Sequence, residues 1–213
     1  NVAEARRVGL PLLIVWQYGT HHQEPYRRYR GLDGVLAKKT CCPLDTEYIG
    51  RHIGRWAVAI AKGGADGMII DTEMYGSDTG GYYAGPCVCD DCFANYLKTY
   101  ATGDWEALYK SIPAEERGAW LAKQGGDEET AYWWPGVGAL RGATAHYALH
   151  QIQRTAAQYA QIRTQCQRIN PVFLFGCAPY WNHLPGLEKG LGTPAVPCLV
   201  FSEYEYVDGP YNN

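Results

Sequence analysis

Phenylalanine and methionine are scarce in this chain: four Phe and two Met stand against seventeen Tyr and seven Trp in 213 residues. The large rings are therefore almost all amphipathic. Such rings suit an exposed surface that stacks on flat ligands such as sugars, although core packing uses them equally well. No apolar run approaches the roughly 20 residues that a membrane-spanning helix needs. No long run of one charge exists either. With 19 basic and 22 acidic residues the net charge is −3, which argues against a nucleic-acid or anionic-membrane partner. There is no internal repeat and no low-complexity tract. No Gly-rich loop directly follows a strand-like run, which counts against a nucleotide-binding sheet. Charged residues make up only 19% and hydrophobic residues 46%, so a sizeable core is available and wholesale disorder is excluded. A start Met and a charged-then-apolar leader are also missing. The chain opens on "NVAEARRVG", which reads as the tail of a helix already under way, so residues upstream are expected and location stays open.

What is present is an alternation of strands and helices. "GLPLLIVWQYG" (9–19) is a continuous apolar run closed by Gly, which suits a strand buried on both faces of a parallel sheet. Residues 20–42 read as a long polar, aromatic and cationic loop. From Asp45, a candidate N-cap, a helix places Ile49, Ile53, Ala57 and Ile60 on one face and stops at Gly63-Gly64. "DGMIIDTEMYG" (66–76) is a second buried strand. A long insertion with short helices follows at about 77–138. A helix over roughly 140–169 carries Leu149, Ile152, Ala156, Tyr159, Cys166 and Ile169 at steps of three and four, and Asn170-Pro171 ends it. "VFLFGCA" (172–178) and "PCLVFSEYEYV" (197–207) complete four strands. This order predicts an α/β fold. The expectation is a (β/α)8 TIM barrel or a central segment of one, with parallel strands near 10–18, 67–73, 172–178 and 197–207. Residues 1–213 would then be a single catalytic-type barrel domain, incomplete at both ends, because a full barrel needs about 250 residues. A small doubly wound sheet is the rival architecture.

Of eight cysteines, Cys166, Cys177 and Cys198 lie in apolar periodic segments and read as small buried hydrophobes. "CVCDDC" (87–92) is different: Cys87, Cys89 and Cys92 form C-x-C-x2-C. Three thiols so close can wrap one zinc ion, and Cys41 or Cys42 would supply the fourth ligand of a tetrahedral site. Four protein ligands leave no open position, so such a zinc would brace the fold. The alternatives are disulfides, each to a distant partner because neighbours two or three residues apart bridge poorly, or free thiols.

The strand ends carry acids. In "DTEMYG" the alternation of a strand points Asp71 and Glu73 the same way, and two carboxylates close together raise one pKa, as a general acid for glycoside cleavage requires. The bland alternative is a strand-end acid that caps a helix or pairs with Arg. "FSEYEY" repeats the arrangement with Glu203 and Glu205. A separation of about 5–5.5 Å between the paired carboxyls would mean a retaining mechanism, and about 6.5–9.5 Å an inverting one. Trp16, Tyr18, His21 and His22 follow the first strand, and Tyr180, Trp181, Asn182 and His183 follow the third. A sugar cleft needs rings with hydrogen-bonding tips of this kind. The paired His could instead bind a metal, although no His-carboxylate spacing supports it. The expected partner is a carbohydrate substrate, with homo-oligomerisation left open.

"TEMYG…CVCDDCFANYLKTY" resembles glycoside hydrolase family 42, the zinc-clipped β-galactosidases. The similarity covers roughly residues 40–178, and the cysteine pattern is its specific part. The resemblance implies that Glu73 is the acid/base and that Cys42, Cys87, Cys89 and Cys92 hold a structural Zn2+. Thr72 stands where that family has an Asn that contacts the sugar 2-hydroxyl, and Asp71 is an added acid. The resulting D-T-E also resembles the substrate-assisted hydrolases of N-acetylated sugars. The family's nucleophile would fall beyond Asn213, so either Glu203 or Glu205 takes that role or the chain lacks one. A non-catalytic carbohydrate-binding protein that grips glycans through Trp16, Tyr180 and Trp181 is the other functional reading, and a purely structural zinc-braced subunit is a third.

Overall fold

A computed structural model describes residues 2–17, 26–71, 84–126, 129–134, 137–178 and 187–200. Helix α1 (Val2–Arg7) leads to strand β1 (Leu13–Gln17). Strands β2 (Arg28–Arg30) and β3 (Leu36–Cys41) precede α2 (Thr46–Ile49), a π-helical turn (Gly50–Gly54), α3 (Arg55–Lys62) and β4 (Gly67–Asp71). Three short helices follow, α4 (Asp90–Tyr100), α5 (Trp105–Ser111) and α6 (Arg117–Lys123). The chain continues through β5 (Ala131–Trp134), β6 (Gly138–Arg141), the long helix α7 (Gly142–Gln167), β7 (Leu174–Ala178), α8 (Leu187–Leu191) and β8 (Leu199–Val200). These elements form two compact units, one of Asn1–Gly19, Thr46–Glu73 and Thr155–Asn213, the other of Thr20–Asp45 and Met74–Arg154. No described helix is long and apolar enough to cross a membrane.

The first unit is built on a parallel sheet of order β1-β4-β7-β8. Its apolar strands bury best on one face. Met68 and Ile70 of β4 stand beside Phe175 and Cys177 of β7, and all four are sealed from solvent. The Phe173 and Phe175 rings meet edge to face at 5.1 Å, a favourable arrangement of their quadrupoles. The helical stretch from α2 through α3 buries Ile49, Ile53 and Ala57, the stripe that the threefold and fourfold spacing dictates. It ends where Gly64 turns at φ +84°, a conformation that side chains with a Cβ rarely adopt. In the second half of α7, Tyr159, Ile162 and Cys166 are buried in the same way. Ile169, expected on that stripe, lies past the helix end and is exposed.

The TIM barrel, whole or as a central segment, is overturned. Among the described residues the parallel sheet has four strands and is open, with β1 and β8 at its edges. The remaining strands are paired antiparallel as β2-β3 and β5-β6, which has no place in a barrel wall. The physical reason is the use of chain length. Strand–helix alternation is common to barrels and open sheets, and here much of the chain between β1 and β7 is spent on a separate helical unit instead of further parallel strands. Val15 on the edge strand is 62% exposed, so β1 is not covered on both faces as a barrel strand would be. The fold is mixed α/β.

The second unit contains the segment expected as an insertion. Val88, Phe93, Tyr96, Leu97, Ile112, Leu121 and Tyr147 form its core, from α4, α6, the first half of α7 and the residues just before α4 and just after α5. Phe93 meets Trp120 edge to face at 5.7 Å. Buried Arg117 lies 5.2 Å over Phe93 and 4.9 Å over Tyr109 while donating to the Val88 carbonyl at 3.0 Å and pairing with Asp90 at 2.8 Å. These Tyr and Trp rings are thus core material, and the Tyr96 and Tyr147 hydroxyls find partners within the unit.

One buried histidine gives this unit a pH dependence. His150 Nε2 lies 3.0 Å from the Asn95 side-chain oxygen. Burial, and then the charges of Arg154 and His146, push its pKa down to about 4. An unfolded His titrates near 6.5. Between about pH 6.5 and 4 the unfolded chain therefore takes up a proton that the folded chain refuses, and stability falls as pH falls through that window. Urea midpoints of His150→Asn should depend less steeply on pH across this window than those of the wild type. An unchanged slope would remove His150 as the cause.

Candidate metal centre

Two separate segments of the second unit supply the four sulfurs, Cys42 from one and Cys87, Cys89 and Cys92 from the other. Cys42 follows directly on β3, whose hairpin with β2 turns through Gly34 at φ +80°. A Cβ at that glycine would stand 2.1 Å from the Glu115 carbonyl oxygen, so only glycine fits there. Cys42 N–H donates to the Arg27 carbonyl at 2.8 Å, which extends the hairpin ladder to the ligand itself. Cys87 sits in the extended segment before α4. Its backbone is held from both sides: Cys87 N–H donates to Gln151 Oε1 at 2.8 Å, and its carbonyl accepts from Tyr147 Oη at 2.5 Å and from Gln151 Nε2. Cys89 is the N-cap of α4 and Cys92 lies in its first turn. Helix N-termini favour negative charge, so these two positions suit thiolates.

All four sulfurs lie within 4.8 Å of one another. Cys42 Sγ is 3.5 Å from Cys92 Sγ, 3.6 Å from Cys89 Sγ and 3.8 Å from Cys87 Sγ. A tetrahedron of thiolates at about 2.3 Å from one ion has edges of about 3.8 Å, so the spacing fits a single tetrahedral cation. Three sulfurs nearly equidistant from a fourth do not suit pairwise disulfides, and Cys42, Cys87, Cys89 and Cys92 form none. Four buried cysteines, close together, could hold a metal ion.

The electrostatics point the same way. Four thiols this close cannot all ionise without a cation among them. Burial, and then hydrogen bonding with its three neighbours, pushes the Cys42 thiol well up. Hydrogen bonds from Cys42, Cys87 and Cys92 hold Cys89 well below the usual thiol range. At Cys92 the bond with Cys42 lowers the pKa, but those with Cys87 and Cys89, together with burial, outweigh it and leave the thiol raised. Cys89 thus gathers the charge that Cys42 and Cys92 decline, and a metal ion would let all four sulfurs carry it. Arg27 sets a positive charge beside the tetrad. Its Nη2 donates to the Leu44 carbonyl at 2.7 Å, its Nε stands 3.5 Å from Asp45 Oδ2, and its Nη1 pairs with Asp91. Burial opposes its charge, but Cys42, Cys89, Cys92 and Asp91 hold the guanidinium protonated above its ordinary range.

Cys41, the other candidate for the fourth ligand, ends β3 and is buried outside this cluster. Gln151, Tyr147 and Arg27, which hold the ligand segments, escaped the sequence reading. The available signals were a Gln four residues after a Tyr on the buried face of a helix, and an Arg in "YRRYR" inside what read as a loop.

Of the other nominated residues, Trp16 and Asp71 are described, both in the first unit. Gln17, Asp71 and Ala178 are in register at the C-terminal ends of β1, β4 and β7. Trp16 is on β1, paired with Ile70. Tyr18, His21, Glu73, Tyr180, Trp181, Asn182, His183, Glu203 and Glu205 lie outside the described residues. No family model, curated protein or solved structure matches the chain.

Proposed function

We propose that this chain is a zinc-braced glycoside hydrolase, with one structural Zn2+ on Cys42, Cys87, Cys89 and Cys92 and with Glu73 as its general acid/base. The observation that carries the reading is the cysteine tetrad. Its members are the four that the resemblance specifies, Cys42 rather than Cys41 among them, and they are spaced for a tetrahedral ion. An all-sulfur tetrahedron selects zinc or iron among common metals, and a site with four protein ligands braces rather than reacts. For the chemistry, support comes from the open parallel sheet. Ligands of such sheets bind beyond the carboxyl ends of the strands. Asp71 ends β4, and Tyr18, Glu73 and Tyr180 each come within two residues of a described strand end. Glu73 would protonate the leaving oxygen, Asp71 would hold its pKa up, and Glu203 or Glu205 would face the anomeric carbon. The substrate would be an oligosaccharide.

Elemental analysis of the purified protein should find about one zinc per chain, and aryl glycosides assayed as a panel should be turned over. Iron in place of zinc would keep the brace and change its ion. Retained glycan binding with no turnover of any glycoside would make the chain a carbohydrate-binding protein instead.

A further inference from the structure

The tetrad is not equally closed on all sides. Cys42, Cys87 and Cys92 are at most 1% exposed, whereas Cys89 is 7% exposed. Cys89 lies on a cleft of about 320 Å³ within the second unit. Among the described residues lining this cleft, Arg27, Arg28 and Arg30 bring three positive charges and Asp90 brings one negative charge; Tyr26 and Leu36 complete the wall. Asp91 and Asp45 both pair with Arg27 and Arg117 pairs with Asp90, so among these side chains the positive charges outnumber the negative ones by one. Arg30 is pinned by donating from Nη1 to the Gly34 carbonyl at 2.5 Å, so it is held by the hairpin turn. An excess of positive charge along a cleft raises the local concentration of small anions.

We infer that Cys89 is the reactive thiol of the tetrad, reached through this arginine-lined cleft by small anionic disulfides, and that its oxidation together with Cys42 opens the site and releases the ion. The release rests on the zinc reading above. The chemistry balances without a further reactant. The Cys89 thiolate attacks one sulfur of the disulfide RS–SR, its S–S bond breaks, and one RS⁻ leaves. Cys42, whose Sγ is 3.6 Å away, then attacks the Cys89 sulfur and expels the second RS⁻. The reagent is reduced by two electrons, the two cysteines are oxidised to a disulfide, and the two thiolates that remain hold the ion poorly. The order follows from geometry: only Cys89 meets the cleft, and Cys42 is central to the other three sulfurs.

The test uses the full chain carrying Cys198→Ser, because Cys198 is otherwise the most exposed thiol. Its metal content is measured first. The protein is then treated with the dianionic disulfide 5,5′-dithiobis(2-nitrobenzoate) or the neutral 4,4′-dithiodipyridine. Released metal is followed with a chromogenic chelator, and labelled peptides are mapped through time. Cys89 should be modified first, and a Cys42–Cys89 disulfide should appear as metal is released. Arg28→Gln should slow the dianionic reagent about tenfold and change the neutral one less than twofold, and added salt should reproduce that selectivity in the parent protein. Modification of Cys42, Cys87 or Cys92 ahead of Cys89 would overturn the inference, as would equal slowing of both reagents. A chain that carries no metal yet is modified first at Cys89 would remove the zinc reading while leaving the reactive thiol in place.

Discussion

Cys92→Ser should release the metal and melt the second unit well below the wild type. Metal binding to a four-thiolate site contributes about 10–16 kcal/mol in small zinc domains, against a total stability of about 5–15 kcal/mol for a typical domain. Here part of the stability comes from the core around Phe93, Leu97 and Tyr147, so the loss should be a fraction of that sum. Several kcal/mol in a chain of this size still lowers Tm by more than about 10 °C. Serine leaves a hydroxyl that is a poor ligand, together with three buried thiols that must share or shed charge. The tetrad ties the β2–β3 hairpin, the segment before α4 and the α4 N-terminus together, so losing it frees all three. Near-UV circular dichroism reports the change directly, because the unit is rich in Tyr and Trp. Cys41→Ser is the control: it replaces a neighbouring buried thiol outside the cluster and should keep one metal per chain. A Cys92→Ser protein that keeps its metal and its melting point would show that the tetrad does not brace the fold.

Glu73→Gln should lower turnover of glycosides by about 10²–10⁴-fold while glycan binding persists, because the amide keeps size and most hydrogen bonds but has no proton to give. Asp71→Asn separates two mechanisms. If Asp71 only raises the pKa of Glu73, its loss costs less than that of Glu73 on every substrate. If the D-T-E segment works through the substrate's own N-acetyl group, Asp71→Asn is nearly as damaging as Glu73→Gln, and only N-acetylated sugars are turned over by the wild type. Aryl glycosides with and without the N-acetyl group distinguish the two. Loss of glycan binding in Glu73→Gln would instead place Glu73 in binding rather than proton transfer.

The cysteine spacing and the short buried strands were legible because both are local. Three thiols within six residues limit what they can do, and an apolar run bounded by Gly and Asp must be covered wherever it lies. The amphipathic stripe through Ile49, Ile53 and Ala57 was legible for the same reason, since helical period alone brings those side chains to one face. Barrel closure was not local. It depends on how many parallel strands the chain devotes to one sheet, and the alternation around 66–76 and 172–178 reads the same in a barrel and in an open sheet. The aromatic residues of 77–138 were ambiguous on composition for a related reason: a Tyr ring packs in a core as readily as it stacks on a sugar, and only the fold buries Tyr96.

By itself, the sequence determined that this protein would have parallel strands, a long helix before Asn170-Pro171, and a thiol cluster needing one more ligand from the Cys41-Cys42 pair. Tertiary structure brings Cys42 to Cys87, Cys89 and Cys92, as the resemblance implied, and it alone decided that Gln151 and Tyr147 hold the Cys87 backbone and that Arg27 sets its charge beside the sulfurs. Cys42 and Cys87 are 45 residues apart in the chain, and Cys87 and Gln151 are 64 apart. Short-range spacing is written in the order of residues, but which distant groups share a buried charge is settled only when packing brings them into one low-dielectric space, where an unpaired thiolate or carbonyl is costly and its neighbours must satisfy it.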